Sequence, residues 1–305
     1  MLYAQPLSQI LFNHSCPHQL FAYDIQLPKS CSPEHYDDAR DALQTCTSDI
    51  KDWMTENKLQ LNADKTETMP FNSSKLKHPS VPLSICQTTI SFSDSVRNLG
   101  FYHNRDLSAK EHTNFICKLL SWKSDVLAQF ATTSLMMPPK LVISLVLSCI
   151  DYCNSLLAGF PQSLVGRLHR VQYCAARLVV RAPPHVHITP VLRLLHWLPV
   201  RARIFYKTAC LCFNAITSST PAYLCDLLHL YSPSRSLRSS ADTRLLKIPL
   251  CKCKTKGDRA FSYFGPSVWN LVPLHIRNAT TIDTVKSALK TYLFSLQESY
   301  KLISA

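Results

Sequence analysis

The stretch SPEHYDDARDALQTCTSDIKDWMTENKLQLNADKTETMPF, residues 32–71, changes its hydrophobic period partway along, and that change sets the fold class. Ser32 suits an N-cap and Pro33 the first helical position, while Glu34, Asp37 and Asp38 place acid at the positive end of the helix dipole. Ala39, Ala42, Leu43, Cys46, Ile50, Trp53 and Met54 then recur at helical spacing, which predicts a helix with one inward face as far as Lys58. Beyond it come short segments of strand character: TETMPF at 66–71, LSICQTTISF at 83–92 and VRNLGFY at 96–102, separated by Asn, Ser, Pro and Lys. A small antiparallel unit packed on the first helix is the simplest arrangement, so the expected class is α+β.

Upstream, FAYDIQL at 21–27 sets one carboxylate, Asp24, between Tyr23 and Ile25 on an otherwise apolar segment. Such a group belongs at a strand end or turn, where its charge is solvated, paired or bound to a cation.

Downstream of Ser108 the signal is helical. SAKE at 108–111 fits a capping box, and Phe115, Leu119, Val126 and Phe130 form an apolar stripe. A second helix is expected from Pro138–Pro139 to Ala158, ended by Gly159. In the third, 162–182, Leu164, Leu168, Val171, Ala175 and Leu178 share one arc. Arg167, Arg170, Arg177 and Arg181 occupy a separate arc of about 80°. Further helices are expected after Thr189–Pro190 and after Pro199, the latter turning Ile204, Phe205, Thr208, Leu211 and Ile216 inward. SPSRSLRSS at 232–240 reads as a basic loop, and a last helix, 281–297, aligns Ile282, Val285, Leu289, Leu293 and Leu296.

Charge divides the chain. Residues 1–160 carry 13 Lys and Arg against 15 Asp and Glu, whereas residues 161–305 carry 20 against 5, so the net charge of +13 resides in the second half. That asymmetry points to a polyanionic partner for that half. Five glycines, none in a phosphate-cradling loop or a nucleophile elbow, disfavour P-loop, dinucleotide and serine-hydrolase chemistry. The 13 cysteines show neither a CxxC pair nor zinc-finger spacing, and His185 with His187 lacks an acidic third ligand close in sequence. No secretory h-region opens the chain, so the thiols read as reduced and the location as intracellular, nucleus or cytoplasm undecided. The longest apolar run, LVISLVLSCI at 141–150, is too short to span a bilayer, and no membrane partner is expected.

The segment LQLNADKTETMPF at 59–71 resembles the stretch that follows the catalytic aspartates in reverse transcriptases of non-LTR (LINE-type) retrotransposons. In that family a Tyr-Ala-Asp-Asp turn, an amphipathic helix, an Asn-Ala-Asp-Lys-Thr motif and an Asn-Leu-Gly strand follow one another. Here FAYD at 21–24, the helix at 33–58, NADKT at 62–66 and VRNLG at 96–100 keep that order. The likeness continues through SCIDYCNSLLAGFPQ, RLHRVQYCAARLVVR, HITPVLRLLHWLPVRARI, YSPSRSLRSS and GDRAFSYFGPSVWNLVP, and so covers nearly the whole chain. The resemblance implies a partial palm at 1–107, thumb-like helices at 108–160 and a basic, mainly helical C-terminal region at 161–305.

It also implies an RNA-directed DNA polymerase ancestry with Mg²⁺ at the catalytic turn. The turn here has Tyr23 where the family's first aspartate stands, leaving Asp24 as the surviving metal ligand, and Phe21 where the turn opens. The 23 residues before Asp24 hold no Asp or Glu, so the family's other essential aspartate is expected to be missing. Lys65 matches the motif lysine, which the family uses near the leaving pyrophosphate. The expected state is therefore a truncated, non-polymerising chain that retains sequence-tolerant RNA or DNA binding. Arg167, Arg170, Arg177 and Arg181 are the expected phosphate contacts, with Arg201, Arg203, Arg235, Arg238, Lys252, Lys254 and Lys256 behind them. Trp197, Trp269, Tyr263 and Phe264 are read as core before base-stacking groups. The alternatives are a non-enzymatic protein whose helical region binds a protein partner, and a remnant of an element without a selected role.

Overall fold

The first element, α1 (Gln5–Asn13), has no charged residue in its terminal turns and buries Leu7 and Leu11. It belongs to the first of two units, residues 1–111 and 112–305, in a computed structural model. That structure describes residues 5–22, 24–71, 81–85, 88–133, 138–232, 244–251, 253 and 255–296, the side chains of 124–133 excepted. No sequence signal pointed to α1. It packs on α2 (Tyr36–Glu56), where Leu7, Leu11, Cys16, Cys46 and Ile50 form one buried cluster with Trp53 and Met54 at its edge. The α2 helix is preceded by a 3₁₀ turn at Pro33–His35; Ser32 occupies the N-cap position, but its side chain makes no capping bond.

The strands are paired hairpins, each a separate two-stranded sheet. β1 (Gln19–Phe21) and β2 (Asp24–Gln26) are antiparallel, with Phe21 opposite Asp24 and Ala22 in the left-handed region at φ 55°. LSICQTTISF, expected as a single strand segment, splits into β3 (Leu83–Ile85) and β4 (Thr88–Ile90). VRNLGFY likewise bends into the hairpin of β5 (Ser95–Asn98) and β6 (Phe101–Asn104). Its turn residues Leu99 and Gly100 have φ of 44° and 83°, the doubly positive pattern whose twist suits a two-residue hairpin. TETMPF contributes only the bridge from Thr68 to Phe92. Leu83, Ile85 and Ile90 pack with Leu43 of α2 and with Leu61, so the β3–β4 hairpin lies on the helix expected at 33–58. The Gln26 amide donates to Asn98 Oδ1 at 2.6 Å and ties the first hairpin to the third.

The second unit is helical. α3 (Lys110–Thr133) begins later than the expected capping box allows: Ala109 stands before it at φ 51°, and the Ser108 N–H donates to the Asp106 carboxylate at 3.0 Å. The helix expected over 139–158 is broken. α4 (Pro139–Val142), a π-helical turn at Ile143–Leu147 and α5 (Ser148–Asp151) run together, but Tyr152 turns extended and Cys153 enters the left-handed region at φ 52°. A 3₁₀ turn, Asn154–Leu157, then leads to Gly159.

α6 (Gln162–Val180), α7 (Ile188–Leu194), α8 (Val200–Ser218) and α9 (Ala222–Cys225) follow, and then α10 (Phe261–Asn270), α11 (Leu274–Arg277) and α12 (Ile282–Ser295). The core forms where α8 presents Ala202, Phe205, Ala209, Cys212 and Phe213 to Val268 and Trp269 of α10 and to Val285, Leu289 and Leu293 of α12. Trp269 is fully buried, and its indole N–H donates to the Arg244 carbonyl at 2.7 Å, which removes the penalty of burying that polar atom. Among the described residues no helix is long and apolar enough to cross a membrane, and the twelve described cysteines are free thiols.

Gly159 joins the broken helical segment to α6 and is held in two ways. Its φ is 68°, and a Cβ there would lie 2.7 Å from Arg259 Cγ. The Arg259 guanidinium sits 4.2 Å over the Phe160 ring, and its Nε donates to the Thr255 carbonyl at 2.8 Å. Gly159→Ala is expected to lower unfolding free energy by about 1–3 kcal/mol, the cost of holding a non-glycine residue in that backbone region. Gly166→Ala, on α6 with only Gln162 Nε2 at 3.9 Å, should instead raise it by up to about 1 kcal/mol. Urea unfolding of both variants checks the pair, and changes of the same sign would refute the assignment.

Candidate nucleic-acid interface

The arginine face exists because α6 buries the opposite side. Leu164, Val165, Leu168, His169, Gln172, Ala175, Ala176 and Val179 are buried. On a 100° wheel these centre roughly 180° from the mean direction of the four arginines. Val171 and Leu178, expected in the core, sit half-buried on its flank. Arg170 and Arg181 are exposed, while Arg167 and Arg177 are half-buried. The Arg181 backbone closes the helix in the left-handed region, its N–H donating to the Arg177 carbonyl.

The four arginines are not equally available. Arg167 Nη1 donates to Asn114 Oδ1 of α3. Arg177 Nη2 donates to the Val186 carbonyl at 3.2 Å, which commits part of that guanidinium to holding the loop before α7. Burial raises the Cys117 thiol above its ordinary range, and the charges of Arg167 and Arg170 oppose that rise. Asn114 has no sequence signal beyond being a polar position of α3; its role comes from the docking of α3 beside α6.

The second rank of basic residues divides further. Arg201 Nε donates to Gln162 Oε1 at 2.7 Å, at the start of α6. Arg203 is turned inward: its Nη1 pairs with Asp151 Oδ2 at 2.5 Å and its Nε donates to the Leu198 carbonyl at 2.7 Å. The same carbonyl accepts from Gln172 Nε2 at 2.8 Å, so Arg203 serves a seam linking α5, α6 and α8. Lys256 is exposed before the 3₁₀ turn Gly257–Arg259. Arg235, Arg238, Lys252 and Lys254 lie outside the described residues. Trp197 and Trp269 are buried, and Tyr263 and Phe264 are half-buried, so the two tryptophans are core groups. His187 acts as the N-cap of α7, its Nδ1 accepting from the Thr189 N–H at 3.4 Å.

In the first unit, Asp24 is exposed beside the β1–β2 turn, and Tyr23 lies outside the described residues. Lys65 is exposed at the end of a 3₁₀ turn, Ala63–Lys65, where the Asn62 side chain accepts from the Lys65 N–H at 3.1 Å. The acids at the start of α2 are partly engaged locally: Arg40 pairs with Asp37 at 2.7 Å and with Asp41 at 2.9 Å. Among the described residues no group of three or more His, Cys, Asp or Glu side chains is arranged to hold a metal ion. One exposed carboxylate at a hairpin turn does not fit a pair of divalent ions, which need several shared oxygen ligands. No family model matches the chain, and no curated protein or solved structure is significantly similar to it.

One buried group beside the basic face titrates abnormally. Burial lowers the His169 imidazole to about 4, and the Arg201 charge adds to the effect. Its Nδ1 lies within hydrogen-bond distance, 3.1 Å, of the Tyr173 hydroxyl. A histidine whose folded pKa lies below its ordinary 6.5 costs stability as pH falls, because the unfolded chain takes up the proton first. The loss should develop between pH 6.5 and about 4 and approach about 3 kcal/mol. Urea unfolding across that window, parent against His169→Gln, should show a flatter profile in the variant; identical profiles would contradict a buried neutral imidazole.

Proposed function

We propose that this chain is a C-terminal segment of a non-LTR retrotransposon reverse transcriptase that does not itself polymerise and that binds RNA or DNA through its basic second unit. The observation that carries the binding part is the arginine arc of α6, with Arg170 and Arg181 exposed and Arg167 and Arg177 half-buried, opposite a buried side that carries no Lys, Arg, Asp or Glu. Phosphates are the partner best matched by several guanidinium groups on one exposed face, since such contacts are charge-driven and indifferent to sequence. The surrounding composition supports it, with 20 basic against 5 acidic residues over 161–305. The Gln26–Asn98 bond supports the ancestry, because it sets two blocks of the resemblance, FAYDIQL and VRNLG, side by side.

Loss of polymerisation rests on Tyr23 in the position of a required aspartate and on Asp24 as the lone carboxylate of the turn. Primer extension by the purified chain on an RNA template with Mg²⁺ or Mn²⁺ should give no product, and extension abolished by Asp24→Ala would overturn the proposal. For binding, the variant carrying Arg167→Ala, Arg170→Ala and Arg181→Ala spares Arg177, which holds the Val186 carbonyl. Its affinity for a labelled RNA should fall, and the slope of log affinity against log salt should flatten by about two. Equal affinity and equal slope across a salt titration would reject the interface.

A protein partner is favoured by a different feature. Tyr223, Leu227, Leu230 and Leu250 are exposed around α9 and the bridge joining Leu230 to Leu246. Association that survives nuclease treatment and high salt would support that second reading.

A further inference from the structure

A lysine of α3 reaches a cysteine of α5 across 26 residues of chain. Lys123 Nζ lies 3.3 Å from Cys149 Sγ and donates to the Leu145 carbonyl at 3.0 Å. The thiol donates to the same carbonyl at 3.4 Å, so Nζ, Sγ and the carbonyl oxygen close a triangle. Leu145 belongs to the π-helical turn Ile143–Leu147, and Cys149 stands just beyond it in α5. Turns of that kind are rare and occur frequently at functional sites. Both side chains are half-buried, which leaves the sulfur open to a small oxidant while the carbonyl holds the amine beside it. Among the described residues no carboxylate pairs with Lys123, so its ammonium is not committed to an ion pair. Cys153, the thiol next along the chain, instead bonds with Tyr152.

We propose that Lys123 and Cys149 are a modification site, joined on oxidation by a reversible N–O–S cross-link; the inference is independent of the nucleic-acid reading above. Inserting one oxygen atom between an amine and a thiol requires the two to be neighbours in a fixed relation, and these two are in contact. The oxidant is dioxygen. The Lys123 ammonium first releases a proton to water. The Cys149 S–H bond and one amine N–H bond then break, and S–O and O–N bonds form through a single oxygen atom. The second oxygen atom leaves as water with both hydrogens. Sulfur and nitrogen each give up two electrons, which together reduce the dioxygen. Two equivalents of dithiothreitol reverse the step: each is oxidised to its cyclic disulfide, thiol and amine are restored, and the bridging oxygen leaves as water. The cross-link ties α3 to α5 and takes one ammonium charge out of the basic second unit.

The test is peptide mapping by mass spectrometry of the full chain, held in air-saturated buffer or under nitrogen, with free thiols then alkylated. In air, trypsin should fail to cut after Lys123, and the fragment holding Cys149 should appear joined to the one holding Lys123. The joined pair should weigh one oxygen atom more and two hydrogens less than its separate parts. That species should be absent under nitrogen and should disappear with dithiothreitol. Lys123→Arg and Cys149→Ser, which keep a cation and a small polar group in place, should each abolish it, with far-ultraviolet circular dichroism unchanged. The map of the parent decides the matter even where a variant fails to fold. Oxygen gained at Cys149 alone would mark a sulfenic acid without a bridge and overturn the inference. A disulfide from Cys149 to Cys153, or both side chains recovered unmodified from air, would overturn it equally.

Discussion

The buried side of α8 is the surface on which the second unit is assembled. Phe205, Ala209, Cys212 and Phe213 meet α10 and α12 there, with Trp269 filling the centre. Hydrophobic burial alone does not orient α6, but the Leu198 carbonyl just before α8 does. It accepts from Gln172 on α6 and from Arg203 on α8. With that side of α6 fixed inward, its arginines fall on the other side, Arg170 and Arg181 exposed and Arg167 and Arg177 half-buried against Asn114 and the Val186 carbonyl, since a guanidinium is buried only with partners. The two inward arginines obey the same rule. Arg203 meets Asp151 and the Leu198 carbonyl, and Arg277, 3% exposed, donates to the Val272 carbonyl.

Periodicity made the long helices legible. α2, α6, α8 and α12 formed close to the expected residues because each repeats apolar side chains over three turns or more, enough to outweigh local preferences. What was not legible was decided by single residues or by distant contacts. The helix expected from Pro139 to Ala158 breaks at Cys153, a left-handed position with no glycine to announce it. The hairpin of 95–104 reads as a plain strand, since Leu99 gives no turn signal and only Gly100 hints at one. α1 is short, and what stabilises it is packing against Cys46 and Ile50, more than thirty residues away.

The site was legible in part for the same reason. The arginine arc of α6 is a property of spacing along one helix, and spacing is written in the sequence. Which arginines remain available is not. Arg203 and Arg201 look alike in sequence, yet one pairs with Asp151 and the other caps the Gln162 side chain at the start of α6. Asn114 meets Arg167 only through a contact between α3 and α6, a tertiary relation that no local pattern encodes.

The clasp of Arg259 over Phe160 has a consequence for biosynthesis. The start of α6 is braced by a side chain a hundred residues later, so its setting waits on the emergence of that distant segment from the ribosome. Until then the Phe160 ring lacks the guanidinium that lies over it, and Gly159 lacks the side chain that fills the space beside it.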